Sequence, residues 1–163
     1  MLTGKEIIDH GIITDLIDAT GQEQSCGVDL TVKKIETFQS EGSIDFDNSS
    51  RIRPRMADAP KMNNIWILRP GPYLVTFNET VSVPADMVGM ARSRSSLLRM
   101  GASMETALWD PGYSGKSQSM LVVHNPNGLK VYQDAKLMQI IFMPVHKSVE
   151  KLYSGVYQGE NLE

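Results

Sequence analysis

Short apolar segments of three to seven residues recur along most of this chain, each cut off by proline, glycine, asparagine or aspartate. That spacing suits strands and leaves no room for helices of ordinary length. Residues 64–68, 73–77, 80–83, 120–124, 130–132 and 137–143 read as strands. Turn chemistry lies between them in Pro70-Gly-Pro72, Pro84-Ala-Asp86, Pro111-Gly-Tyr113 and Asn125-Pro-Asn-Gly128. Many short strands at close spacing predict an all-β sandwich, jelly roll or barrel. The exception is the start, where Thr3-Gly-Lys-Glu6 fits a capping box, Ile7 and Ile8 supply an apolar face and Gly11 a stop, so a short helix is expected. Residues 41–63 are polar, carry Arg51, Arg53 and Arg55 around Pro54, and read as a long surface loop.

Domain organisation follows from length and from the tail. The 163 residues suffice for one domain with a real core. Residues 1–146 form that domain, and 147–163 read as an arm whose apolar groups, among them Val149, Leu152, Tyr153, Val156 and Tyr157, need another surface to order them. A net charge of −3 argues against nucleic-acid binding by bulk charge. The single cysteine, Cys26, excludes an internal disulfide and a multi-cysteine zinc site, and His10, His124 and His146 are too scattered for a helical metal pair. No apolar run approaches the ~20 residues that span a bilayer, and the acids Glu6 and Asp9 do not suit a signal peptide. A soluble, cytoplasmic protein without membrane or nucleic-acid partners is expected.

The most unusual stretch is Met90-Ala-Arg-Ser-Arg-Ser-Ser-Leu-Leu-Arg-Met-Gly101, with three of the seven arginines and no acid between Met87 and Met104. Arg94, Ser95, Ser96 and Arg99 combine fixed positive charge with small hydroxyls, the donors a polyphosphate needs, above all if a helical turn begins near Ser95. A solvated basic surface would have the same composition. Asp110, in Trp109-Asp-Pro-Gly-Tyr113, is either a turn residue whose carboxylate bonds the following backbone, or a base that takes a proton from water. Asp29, after Gly27, suits a turn or ion pair, and Gln139 is a polar interruption of an apolar strand.

Taken together, Cys26-Gly-Val-Asp-Leu30, Arg94-Ser-Ser-Leu-Leu-Arg99, Asp110-Pro-Gly-Tyr-Ser-Gly115, Lys136-Leu-Met-Gln-Ile-Ile-Phe142 and Tyr153-Ser-Gly-Val-Tyr-Gln-Gly159 resemble, in order and spacing, the motifs of the dUTPase/dCTP deaminase family. The resemblance spans residues 27–159 and is strongest to archaeal-type dUTPases. It implies a distorted jelly-roll subunit in a homotrimer with sites between subunits, and Mg²⁺-dependent hydrolysis of dUTP to dUMP and pyrophosphate. Asp110 would deprotonate the attacking water. Arg94, Ser95, Ser96, Arg99 and Gln139 would hold the phosphates, some from a neighbouring subunit. Tyr113 would pack on the deoxyribose, and backbone groups of the hairpin containing Thr106, Ala107 and Trp109 would read the uracil. Asp29 would support the site, and Tyr153, Tyr157 and Gln158 would close over the nucleotide. Mg²⁺ would be held by the substrate phosphates and water rather than by side chains.

The two branches of that family differ at one position. Deaminases carry a glutamate five residues after the glycine that closes the Pro-Gly-aromatic motif, and the same count from Gly115 reaches Met120. A thioether moves no proton, so hydrolysis at phosphate is expected over deamination, with a dCTP deaminase or a non-catalytic nucleotide-binding trimer as the alternatives. The Gly-rich C-terminal motif of ordinary trimeric dUTPases is absent, and Lys116-Ser-Gln-Ser119 is more polar than the strand usually found there.

Overall fold

A computed structural model describes residues 1–146 and 149–162. Lys147, Ser148 and Glu163, at the two ends of the expected arm, lie outside the described residues. In chain order the elements are α1 (Gly4–Asp9), β1 (Ile13–Thr14), α2 (Ala19–Gln22), β2 (Glu23–Gln24), β3 (Gly27–Phe38), β4 (Met56–Asp58), β5 (Lys61–Met62), β6 (Ile65–Leu68), β7 (Gly71–Phe77), β8 (Thr80–Ser82), β9 (Met87–Ser93), α3 (Ser95–Arg99), β10 (Ala102–Glu105), β11 (Ser114–Gly115), β12 (Gln118–Val123), β13 (Leu129–Tyr132) and β14 (Lys136–Pro144). The all-β reading holds. The capping box also forms: the Thr3 hydroxyl accepts from the Glu6 amide at 3.2 Å, and the Glu6 carboxylate accepts from the Thr3 amide at 2.8 Å.

The main sheet runs β10-β12-β7-β3-β14-β9, with antiparallel neighbours throughout, and its two ends meet. Past β10 the chain returns along β9: the Met104 amide donates to Ser93 Oγ at 2.8 Å, and Trp109 bridges Gly89. β3 links the two halves of this near-barrel. Its first part pairs with β14 and β2, its second with β7 and β4, and register shifts near Val32–Lys34 and Lys136–Met138 accompany the change of partners. Two small sheets, β1-β8-β11 and β13-β6-β5, flank it. The core is aliphatic and aromatic, built on Leu30, Ile35, Val75, Phe77, Leu121, Ile140 and Phe142.

The expected long loop departs from the reading. Residues 41–63 contain β5 and most of a hairpin-like excursion closed by a Ser43–Ile52 bridge, and β4 pairs with the end of β3. Pairing by backbone alone needs no apolar alternation, so the polar composition concealed it. β12 begins at Gln118 rather than Met120, because Gln118 and Ser119 pair with Thr76 and Val75 in the ladder, and the Gln118 side-chain Nε2 also donates to Thr76 Oγ1 at 2.9 Å. No helix among the described residues is long and apolar enough to cross a membrane.

Candidate active site

Asp110 is placed by the closing edge of the barrel. Its predecessor Trp109 is 5% exposed, and both its backbone groups are bound to Gly89, the amide donating at 3.0 Å and the carbonyl accepting at 2.9 Å. A Cβ on Gly89 would come within 2.9 Å of Trp109 Cβ and 3.0 Å of Phe142 Cε1, so only glycine permits this approach. After Asp110, the Gly112 amide donates to the Val83 carbonyl at 3.0 Å and the Val83 amide to the Tyr113 carbonyl at 2.8 Å. Asp110 and Pro111 are therefore the two residues between the pinned Trp109 and Gly112. The turn itself is closed by backbone, the Tyr113 amide donating to the Asp110 carbonyl at 3.1 Å. Its exposed carboxylate takes no hydrogen bond or ion pair from the described residues and faces a cleft of about 1340 Å³. That arrangement disfavours the turn-residue alternative, in which the carboxylate itself would cap the backbone.

Ala107, Trp109, Tyr113, Tyr153 and Tyr157 line the same cleft. The opposite wall brings Lys34, Arg51 and Arg53, the latter two from the excursion before β4. Ser117, missed in the sequence, adds a buried hydroxyl without a hydrogen-bond partner among the described residues. Of the hairpin residues expected to read uracil through backbone groups, Trp109 has its amide and its carbonyl both bound to Gly89, Ala107 lines the cleft and Thr106 is not among its lining residues.

The arm docks along the outer edge of this turn. The Tyr153 amide donates to the Pro111 carbonyl at 2.8 Å, the Gly159 amide to the Ser114 carbonyl at 2.8 Å, and the Lys116 amide to the Glu160 carbonyl at 2.9 Å. The Gln158 amide group both accepts from the Ser114 backbone at 3.2 Å and donates to the Gly112 carbonyl at 3.0 Å. Gln158 thus fastens the arm to the turn rather than lining the cleft. Tyr153 meets Tyr113 edge-on, with ring centroids 5.7 Å apart. The Tyr113 phenol donates to Glu160 at 2.9 Å. Burial, then the nearby Glu160 carboxylate, push the Tyr113 phenol well above the ordinary tyrosine range. Burial likewise raises Glu160, opposed by the Tyr113 hydrogen bond and Arg53.

The phosphate-type residues lie elsewhere. Asp29, with its side chain 1% exposed, pairs through Oδ2 with Arg94 Nε at 3.2 Å and Lys136 Nζ at 3.8 Å, and accepts from Gln24 at 3.1 Å. Its Oδ1 is buried and has no partner among the described residues. Burial raises the Asp29 carboxyl, opposed first by Arg94 and then by Lys136. Gln139 stands opposite Asp29 on β14 and donates to the Cys26 carbonyl. Ser95, Ser96 and Arg99 follow on α3, which does begin at Ser95, and are exposed. Arg94 thus extends from a buried anchor, with guanidinium donors to spare for an anion.

These two groups do not meet within one chain. Trp109 is level with Gly89 near one end of β9, and Arg94 follows its other end. Six residues of extended chain from the level of Asp110 to Arg94 make about 20 Å, beyond one arginine's reach. Among the described residues no group of three His, Cys, Asp or Glu side chains could hold a metal ion.

Comparison with known proteins agrees with this architecture. A family model described as dCTP deaminase-like matches residues 2–145. The probable deoxyuridine 5'-triphosphate nucleotidohydrolase of Methanococcoides burtonii is 46% identical over 153 residues, 93% of this chain and 89% of that protein. The deoxyuridine 5'-triphosphate nucleotidohydrolase of Methanocaldococcus jannaschii is 38% identical over 141 residues, 85% of this chain and 88% of that protein. A crystal structure of 2'-deoxycytidine 5'-triphosphate deaminase from Agrobacterium tumefaciens superposes with a TM-score of 0.65 at 19% identity, covering 89% of this chain and 48% of that one; this likeness is one of fold. Because the match runs without a break from α1 to the end of β14, through Asp29, α3 and the Asp110 turn, the chain belongs to the dCTP deaminase-like family.

Proposed function

We propose that this protein hydrolyses dUTP to dUMP and pyrophosphate, with Asp110 as general base for a water that attacks the α-phosphorus. The observation that carries the reading is the Asp110 carboxylate, held between two pinned backbone segments yet unpartnered among the described residues, at the mouth of a cleft lined with aromatic rings. A carboxylate fixed in line with its target contributes about 10²–10⁴-fold as a base. The water's oxygen bonds phosphorus, its proton passes to Asp110, and the P–O bond to pyrophosphate breaks. The names of the archaeal relatives support the substrate.

In this reading Arg94, Ser95, Ser96 and Arg99 of a neighbouring copy brace the triphosphate, since extended β9 sets Arg94, at the head of that group, about 20 Å from the Asp110 of its own chain; Gln139 acts from beside Asp29. A homotrimer with sites between copies meets that need. Tyr113 forms the wall against the deoxyribose, and Tyr153 and Tyr157 cover the nucleotide. Mg²⁺ on the triphosphate would neutralise charge and polarise phosphorus, held mainly by the substrate phosphates and its own waters.

Deamination is the weaker reading. Met120 occupies the position of the deaminase glutamate, and Glu105, its cross-strand partner, is exposed, bonded to Ser103 and absent from the cleft lining. The test is pyrophosphate release from dUTP by wild type and by Asp110→Asn. A loss of about 10²-fold or more is expected, and equal turnover would refute the role of Asp110. Ammonia released from dCTP would favour the deaminase.

A further inference from the structure

We infer that Glu160 is a positioning residue that sets nucleotide selectivity by fixing the Tyr113 ring and tying it to the arm. The inference rests on the reading of Tyr113 as the wall against the sugar. Three observations converge on this carboxylate. Its Oε1 accepts the Tyr113 phenol at 2.9 Å. Its own backbone carbonyl takes the Lys116 amide at 2.9 Å, so side chain and main chain grip the same turn. Gly115 lies beneath the junction, where a Cβ would come within 3.0 Å of the Tyr113 hydroxyl and 3.1 Å of both the Glu160 nitrogen and oxygen.

The Tyr113 ring is buried, so it can leave its rotamer only where the contacts around it yield. Tyr153 limits that movement from one side by edge-on contact, and Glu160 fixes the hydroxyl end. The cleft's opposite wall reaches the same place: Arg53 lies 6.0 Å from the centroid of Tyr157, three residues before Glu160, and its charge acts on the Glu160 carboxylate. The arm therefore joins the Asp110 turn to the excursion that carries Arg53. A ring locked at this distance leaves a fixed gap for the sugar. A ring released from Glu160 can retreat and admit a 2'-hydroxyl.

The test compares Glu160→Ala and Glu160→Gln with wild type, using dUTP and UTP as substrates. Gln retains an oxygen that accepts the phenol; Ala does not. A hydrogen bond to a charged group supports an expected loss of about 10–100-fold in the dUTP-over-UTP ratio of kcat/KM for Glu160→Ala, with Glu160→Gln retaining most of it. In a Tyr113→Phe background Glu160→Ala should change the ratio no further. Amide exchange at Ser114 and Lys116 should accelerate in Glu160→Ala. Unchanged selectivity in Glu160→Ala would overturn the inference, as would an equal effect in the Tyr113→Phe background. If wild type cleaves neither nucleotide, the functional reading fails by itself, and the exchange rates then decide the latch: unaltered protection at Ser114 and Lys116 would refute it.

Discussion

Two inactive variants should restore activity when combined. Asp110→Asn removes the proposed base and leaves α3 intact. Arg99→Ala removes a phosphate donor from an exposed helix position and leaves the Asp110 turn intact. Arg99 is preferable to Arg94 here, because losing Arg94 would leave the buried Asp29 without its nearest cation. Along β9 the level of Asp110 is about 20 Å from Arg94, where α3 and Arg99 begin their course away from the strand, so the two positions are assigned to different copies. In a trimer mixed at random from equal amounts, a site is whole when the Asp110 side comes from an Arg99→Ala chain and the α3 side from an Asp110→Asn chain. Each condition is met half the time, so about a quarter of the sites should be wild-type. The assay is pyrophosphate release from dUTP after the two variants are unfolded together and refolded, or after co-expression. Activity near a quarter of wild type is expected, against about 10²-fold lower for either variant alone. Mixed trimers, verified by mass, that stay as inactive as their parents would refute the shared site.

Two further perturbations test the frame. Glu79 is fully buried, accepting from the Thr31 amide at 2.9 Å, the Thr31 hydroxyl and Gln22 Nε2 at 2.7 Å, and burial raises its carboxyl above the usual range. The folded state therefore binds that proton more tightly than the unfolded chain, and this contribution to stability is lost as pH rises through the raised value; the urea midpoint of Glu79→Gln should gain on wild type as pH rises above the ordinary glutamate range, whereas a pH-independent difference would refute the assignment. Gly89→Ala should cost about 1–3 kcal/mol and lower Tm, because the new methyl meets Trp109 and Phe142; a variant as stable as wild type in thermal unfolding would show the approach to be looser than described.

What the sequence displayed and what it hid differ by kind of interaction. Side chains that act locally are legible: the Thr3–Glu6 box forms, and the helical turn in the arginine-serine run begins at Ser95 as the pattern predicts. β3 was harder to recognise, because Gly27 to Val32 are buried in six consecutive positions and the strand shows no alternation there. The strands on either side of α3 merged with its basic run, since β9 is only partly buried and β10 has four residues. Contacts made by backbone leave no residue signature at all. The Trp109–Gly89 bridge and the amides that bind the arm to residues 111–116 are of this type. For that reason the sequence alone does not show that Gly89 holds both backbone groups of Trp109, or that Glu160 meets Tyr113.

The backbone contacts also determine what kind of catalyst the site can be. An exposed aspartate on a free loop would sample many orientations, and each activation of water would have to select one of them. Here the residue before Asp110 is bound on both backbone groups to β9, the residues after it are bound to Val83 on one edge and to the arm on the other, and the ring that follows is held by Glu160 and Tyr153. The carboxylate thus stands without a partner among the described residues in a frame fixed by backbone, the preorganisation that the proposed role of a base requires. The cations are treated in the opposite way. Arg94 is anchored by a buried acid, but Ser95, Ser96 and Arg99 stand exposed on a five-residue helix with space around them. On the proposed reading, a fixed base and accessible phosphate donors at opposite ends of one strand would form a complete site only where two copies meet, and assembly itself would then be the step that aligns water, phosphorus and leaving group.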